Sequence, residues 1–531
     1  MFTFVVFSCM IFAAIPASTF NVSVSLAAPS NASFVSPSYL SFSIKQDRWT
    51  DWAGLDTRNE FFYNALTNIK DIAGELPRLR VGADSADRTN FQSGLKETES
   101  VFESPTSTTP YPEADSDVVG EAFYRAARHL PPGIHVTWGV NLRELNATAA
   151  YLEAKAIAAA FNSFPASSGL VLDAIEIGNE ANDYVEDYFR SDNYSVAQYV
   201  SEWTTLAANV SAVVPINEDS TIKFWAGSFA SANHSTSDWI PQQLFDNGLL
   251  TSSAGMQIDT YSQHLYNGVA TSCGTISNCL QGLMTKDYIR GNLSAFTADI
   301  AVAKAYNLSY ILGETNSYAR HGAPGISNSA GAVLWALDYV FFASQLGIDR
   351  LFFHEGVGYR YNFIQPVTLN ISIIDGTTLD EPLPPHVQPL YYAAVIIAEA
   401  IGKKGNVSVA EISLNSTTVS GYAFYTNKGE ISKALFINSE GYFTNTTTER
   451  TSVHLDLDFV NGTNTGNAPS EMTVKRLEIG YADDTSGLTW GGQTYETSDA
   501  RVNGNHSVER YDVSIGIDLL ATQAVLVTFS N

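Results

Sequence analysis

Between residues 40 and 355 the chain alternates short apolar, β-rich runs with longer stretches of helical periodicity, and no other feature constrains the fold as strongly. The pattern predicts strands over Leu40–Gln46, Leu76–Gly82, Ile134–Val140, Val171–Gly178, Thr221–Gly227, Ile258–His264, Leu308–Gly313 and Asp349–His354. Several are nearly continuous in apolar residues, as strands buried on both faces of a parallel sheet must be. Helical spacing with usable caps fills the intervals, for example Asn59–Ala73, Ala147–Ser163, Val196–Val214 and Gly331–Leu346. Eight βα units close into a (β/α)8 TIM barrel, an α/β fold whose chemistry sits at the C-terminal ends of the strands.

A Pro-rich stretch at Glu381–Pro389 precedes one more apolar helix, Leu390–Ile401, and beyond it the pattern turns to alternating strands separated by Gly, Asn and Thr. The expected organisation is a catalytic barrel over residues 36–403 and a β-sandwich over 404–531, joined by an N-terminal strand around 29–35. Residues 1–28 read as a cleaved signal peptide, because the uncharged run MFTFVVFSCMIFAAIPAS is short for a bilayer span and is followed by small residues. Sequons at Asn146, Asn209, Asn292, Asn307, Asn370, Asn406, Asn415, Asn445, Asn461 and Asn505 fit a secreted, extracellular glycoprotein. Cys273 and Cys279 are close enough to close a small disulfide loop in an oxidising compartment, and no Cys/His spacing suggests a metal site. A formal charge of −26 disfavours nucleic acid as a partner and disfavours long contacts along a polyanion. With a pI near 4.6, mildly acidic surroundings are expected.

Two predicted barrel strands end in a carboxylate: the fourth, in AIEIGNEAN, supplies Glu180, and the seventh, in YILGETNS, supplies Glu314. Hydrolysis of a glycosidic bond requires such a pair, one group to protonate the leaving oxygen and one to attack or stabilise the anomeric carbon. Asn179, beside Glu180, is suited to holding a sugar hydroxyl. Glu176 shares the face of Glu180 by strand period but lies deeper, where an ion pair inside the barrel is the favoured reading. Strand six brings His264 and Tyr266 to the same rim, and strand eight brings His354, Glu355, Tyr359 and Tyr361. Lys45 and Asp84, after strands one and two, form either an ion pair or a grip on sugar hydroxyls, the ion pair being favoured.

The ordered set LRVGADSAD, IEIGNEAN, SQHLY, ILGETNS and FFHEGVGYRYN resembles glycoside hydrolase family 79, which holds fungal and bacterial β-glucuronidases and the heparanases. The resemblance implies the barrel, a β-sandwich that takes in a little N-terminal chain, retention of anomeric configuration, and no metal or organic cofactor. It makes Glu180 the acid/base, Asn179 its preceding amide, Glu314 the nucleophile and Tyr266 the tyrosine after the strand-six histidine. A glucuronate carboxylate would be read by tyrosine hydroxyls and backbone amides, for which Tyr266, Tyr361 and the loop Tyr318–Gly322 are the candidates. The segment YARHGAPG departs from the Gly-rich form expected there, and Lys45 stands where an acidic residue is common, opposite Asp84. The leading expectation is a secreted exo-β-glucuronidase acting on terminal glucuronic acid or its 4-O-methyl form. A heparanase-like endo enzyme, a barrel glycosidase for neutral sugars and a non-catalytic carbohydrate-binding protein are the alternatives.

Overall fold

The computed structural model describes residues 18–232, 238–269, 274–403, 405, 407–460 and 468–530. Leu40–Lys45, Leu79–Gly82, His135–Val140, Val171–Ile177, Lys223–Ala230, Ile258–Tyr266, Ser309–Asn316 and Arg350–Glu355 pair in that order, each parallel to the next, and the last closes on the first. These are the eight expected strands. Strand two starts at Leu79 rather than Leu76, because Pro77 has no N–H to give to a ladder. Helices cover the outside. Asn59 caps Glu60–Ala73 by accepting from Phe62 N, and Asn146 caps Ala147–Ser163 in the same way from Ala149 N. No described helix is long and apolar enough to cross a membrane.

The C-terminal region forms two packed sheets. One carries Val407–Glu411, Val419–Tyr425, Ile431–Asn438, Gln523–Ser530 and Glu471–Glu478 with the N-terminal strand Ser33–Val35 at its edge. The other is Ser452–Val460 between Ser18–Ser25 and Ile517–Leu520. Val22, Val24, Phe436, Leu455, Leu519 and Val525 fill the space between them. The N-terminal contribution is therefore larger than the single strand expected around 29–35. It also conflicts with a signal peptide ending at residue 28. Ser18–Ser25 runs parallel to Ser452–Val460 through all eight of its residues, with Val22 and Val24 fully buried, so a cut after residue 28 would take a core strand with it. Any processing site compatible with this fold lies before Ser18.

Two insertions at the C-terminal face shape the mouth. After strand two the chain builds a three-stranded sheet, Thr89–Phe91, Ala114–Val119 and Glu99–Phe102. After strand eight it builds the antiparallel pair Leu369–Ile371 and Thr378–Leu383. They hold each other. The Tyr111 hydroxyl donates to Ile371 O at 3.1 Å and accepts from Ile371 N at 2.9 Å, and Arg360 Nη1 donates to Thr108 O at 3.2 Å. The second of these strands takes in the start of the Pro-rich stretch Glu381–Pro389. Pro382 is tolerated in it because the strand has a partner on one side only.

Candidate active site

Each carboxylate at the mouth is aimed by a break in its strand. Strand four ends at Ile177, and Gly178 follows with φ +79°; a Cβ there would lie 2.6 Å from Leu142 Cδ2, so both the turn and the close packing require glycine. Glu180 itself is left-handed at φ 48°, a conformation that costs a non-glycine residue energy and persists only where its surroundings enforce it. The enforcement comes from strand five. A register shift between Gly227 and Phe229 bulges Ser228 out, and its carbonyl accepts from Glu180 N at 2.8 Å while its hydroxyl donates to Glu176 Oε1 at 2.5 Å. On strand seven a shift against strand six sets Glu314 opposite His264.

Arg80 is the hub beneath both. It is fully buried in strand two and donates to Glu176 Oε2, Glu314 Oε2 and Asn179 Oδ1, each at 2.7 Å, and to Ser43 Oγ at 2.9 Å. A buried guanidinium without partners would be prohibitive; here two carboxylates and two neutral oxygens satisfy it. The Tyr266 hydroxyl donates to Glu314 Oε1 at 2.6 Å, so both oxygens of Glu314 are held. Glu180 Oε1 lies 2.8 Å from His264 Nδ1. Glu180, His264 and Glu314 each bring a nitrogen or carboxylate oxygen within 4.8 Å of the others. Such a triad has metal-ligand chemistry, but Arg80 and Tyr266 already occupy Glu314, and the set fits acid–base work better.

Electrostatics split the pair. Burial and the adjacent Glu314 charge push Glu180 up to about 8 against the pull of Arg80 and Lys45. With 29% of its side chain exposed, Glu180 is the wetter of the two carboxylates. Burial alone would raise Glu314 too, but His354, His264, Arg80 and the Tyr266 hydrogen bond hold it well below the usual carboxylate range. Burial lowers His264 and His354 to about 4. Both rings are therefore neutral near neutrality, and Arg80 is the permanent charge that keeps Glu314 ionised.

Above the pair lies a cavity of about 670 Å³. Asn179, Tyr266 and Tyr361 line it, with the two tyrosine rings 5.9 Å apart. Lys45 and Asp84 are an ion pair, as favoured from the sequence, and Lys45 Nζ also meets Glu113 Oε1 at 2.6 Å. Burial and Glu113 push Asp84 up to about 7. Glu113 further accepts from the Tyr359 hydroxyl and meets His321 Nε2, both at 3.1 Å. Four candidates stand elsewhere. His264 is 1% exposed and holds Glu180 rather than facing the cavity. The Tyr318 hydroxyl is directed to Cys279 O, and Gly322 forms the turn beneath, its carbonyl accepting from Arg360; Ala319, Arg320 and His321 between them form the wall. Glu355 is fully buried and accepts backbone N–H groups of Phe363 and Ile364. Cys273 lies outside the described residues, so the expected disulfide does too.

The family model described as glycosyl hydrolase family 79 C-terminal beta domain matches residues 421–526. A β-glucuronidase of Aspergillus niger is 28% identical over 496 residues, 90% of this chain and 86% of that protein. A β-glucuronidase of Neurospora crassa is 26% identical over 517 residues, 90% and 87% of the two chains. The crystal structure of a 4-O-α-L-rhamnosyl-β-D-glucuronidase from Fusarium oxysporum superposes with a TM-score of 0.75 at 24% identity, over 96% of this chain and 100% of that one. The chain is thus similar to family 79 β-glucuronidases along 90% of its length, and its C-terminal β-domain matches the family 79 model.

Arg80 and Glu113 are site residues that sequence reasoning did not single out. Arg80 carried a usable signal, being the one charged residue inside the apolar run Leu79–Gly82. Such a cation implies buried carboxylates facing it from other strands. Glu113 carried none, since it rides an insertion with exposed strands and no apolar period.

Proposed function

We propose that this enzyme is a secreted, retaining exo-β-glucuronidase that removes terminal β-linked glucuronic acid, or its 4-O-methyl form, from glycans or glycosides. The observation that carries the reading is the geometry of the pair. A Glu180 oxygen lies within 4.8 Å of a Glu314 oxygen, the close approach of a double-displacement pair; an intervening water needs carboxyl groups about 6.5–9.5 Å apart. Their protonation states suit the same division, Glu314 ionised and Glu180 able to hold a proton.

In the first step Glu314 attacks the anomeric carbon while Glu180 protonates the departing glycosidic oxygen. A neutral His264 donating Nδ1–H to Glu180 Oε1 leaves the other carboxyl oxygen to carry that proton. Once the covalent glycosyl ester has formed, Glu314 bears less negative charge, the repulsion that raised Glu180 relaxes, and Glu180 becomes a better base. It then takes a proton from water, which attacks the same carbon and releases Glu314. Tyr266 and Arg80 hold the nucleophile throughout.

Exo action is supported by the strand-two insertion, braced by the strand-eight one, whose Glu103, Thr109, Pro112 and Glu113 wall the cavity beside Lys45. Glucuronide specificity is supported by the two curated relatives named above. Secretion is supported by the apolar N-terminal run and the sequons. The test is release of p-nitrophenol from its β-glucuronide and β-glucoside by wild type, Glu180→Gln and Glu314→Gln. Turnover of the glucuronide alone, abolished in Glu314→Gln, is the expected result. Preference for the glucoside would replace the substrate reading with a neutral sugar.

A further inference from the structure

The cavity presents an electrostatic difficulty for the substrate just proposed. Its wall carries many more carboxylates than cations, Asp84, Glu113, Asp183 and Asp187 among them besides the catalytic pair. A glucuronide brings one more negative charge into that field. Of the three lysines and arginines on the wall, Lys45 is committed to Asp84 and Glu113, and Arg88 Nη2 meets Asp84 Oδ2 at 3.1 Å with Glu113 beyond. The third, Arg320, has no ion pair or side-chain hydrogen bond among the described residues.

Its placement is specific. Arg320 follows Glu314 on the loop leaving strand seven, and the loop's path is built rather than slack. Arg320, His321 and Gly322 all have positive φ, at 60°, 66° and 85°. Two of the three are not glycine, and the strain is held by Arg360, whose N donates to His321 O at 2.8 Å, and by Ala319 N donating to Gly268 O at 2.9 Å. His321 stacks on Tyr359 at 3.8 Å between ring centroids. A rigid turn thus presents an exposed guanidinium, with no counter-ion among the described residues, to the cavity holding both catalytic carboxylates.

Resting on the glucuronidase reading, we propose that Arg320 is the residue that reads the substrate's carboxylate, pairing with it as a charge-assisted, fork-shaped donor, and that it sets the preference for an acidic over a neutral glycone. Guanidinium geometry suits a planar carboxylate better than an ammonium does. The preference comes from a cation that has no ion pair among the described residues, in a wall otherwise self-neutralised or acidic, so replacing it exposes the substrate to the field of the carboxylates.

The experiment compares KM and kcat for p-nitrophenyl β-glucuronide and for its methyl ester, in wild type, Arg320→Gln and Arg320→Lys. Wild type is expected to favour the acid, and Arg320→Gln to reduce the acid-to-ester ratio in 1/KM about tenfold, the effect of one charged hydrogen bond at a solvent-reached site. Arg320→Lys should fall between. Rising ionic strength should erode the acid's advantage in wild type and not in Arg320→Gln. An unchanged ratio in an Arg320→Gln enzyme that still cleaves the glucuronide overturns Arg320 alone. A wild type that cleaves no glucuronide overturns the substrate reading and this assignment together. Arg320 is exposed and has no side-chain hydrogen bond or ion pair among the described residues, so its variants carry little risk to folding.

Discussion

Tyr266 and Arg80 turn a buried carboxylate into a committed anion. The Tyr266 hydroxyl sits 2.6 Å from Glu314 Oε1, and a hydrogen bond to a charged acceptor contributes about 1.5–3 kcal/mol. Tyr266→Phe is therefore expected to lower kcat for the glucuronide by roughly 10–100-fold with intact folding, measured by steady-state kinetics beside circular dichroism. Titration gives a second check. Glu314 must be ionised and sits well below the ordinary carboxylate range, so activity should survive into mild acid; Glu180 must be protonated, so kcat/KM should fall as pH rises toward about 8. In Glu314→Gln the like charge is gone, and the Glu180 carboxyl should titrate at lower pH, observed by carbon-13 NMR. A Glu180 midpoint unmoved by that substitution would mean that burial alone sets it. At this scale the sequence was legible only where a residue announced itself by position. Glu180 and Glu314 end their strands, and Lys45 and Asp84 pair as their charges suggest. Arg80 needed its four partners, which come from strands one, four and seven and the turn after strand four, and no local pattern joins those.

The elements show the same boundary between local and non-local information. Strand ends were readable to within a few residues because buried parallel strands must be continuously apolar and helices need caps, and both rules act within one segment. The strand-two and strand-eight insertions escaped because Glu99–Phe102 and Thr378–Leu383 are mostly exposed and are held by each other. Ser18–Ser25 was partly hidden by its neighbour, since its apolar residues continue the run read as a signal. Its integration has a consequence for stability. Val22 and Val24 are fully buried between the sheets, and each such side chain contributes about 1.5–3 kcal/mol. A chain beginning at residue 29 is expected to melt on the order of 5 °C below one beginning at Ser18, and calorimetry decides it. Equal melting temperatures would show that the strand is dispensable to the β-domain.

Across the whole molecule, a barrel supplies rigid strand ends, a β-domain packs against its outer helices, and the insertion after strand two narrows the mouth. Ala330 N and Gly331 N at the start of one barrel helix donate to Asp484 O and Ala482 O of the β-domain, and Arg290 joins Asp338 of the barrel to Glu411 of the sandwich. All of this serves a single distance. Carboxylate oxygens within 4.8 Å of each other suit the double displacement proposed for this pair. The stereochemistry of the first product therefore reports on the site directly. Proton NMR during rapid hydrolysis of p-nitrophenyl β-glucuronide should show the β anomer of glucuronic acid first, with the α anomer growing in only by mutarotation. Initial release of the α anomer would contradict double displacement through Glu314.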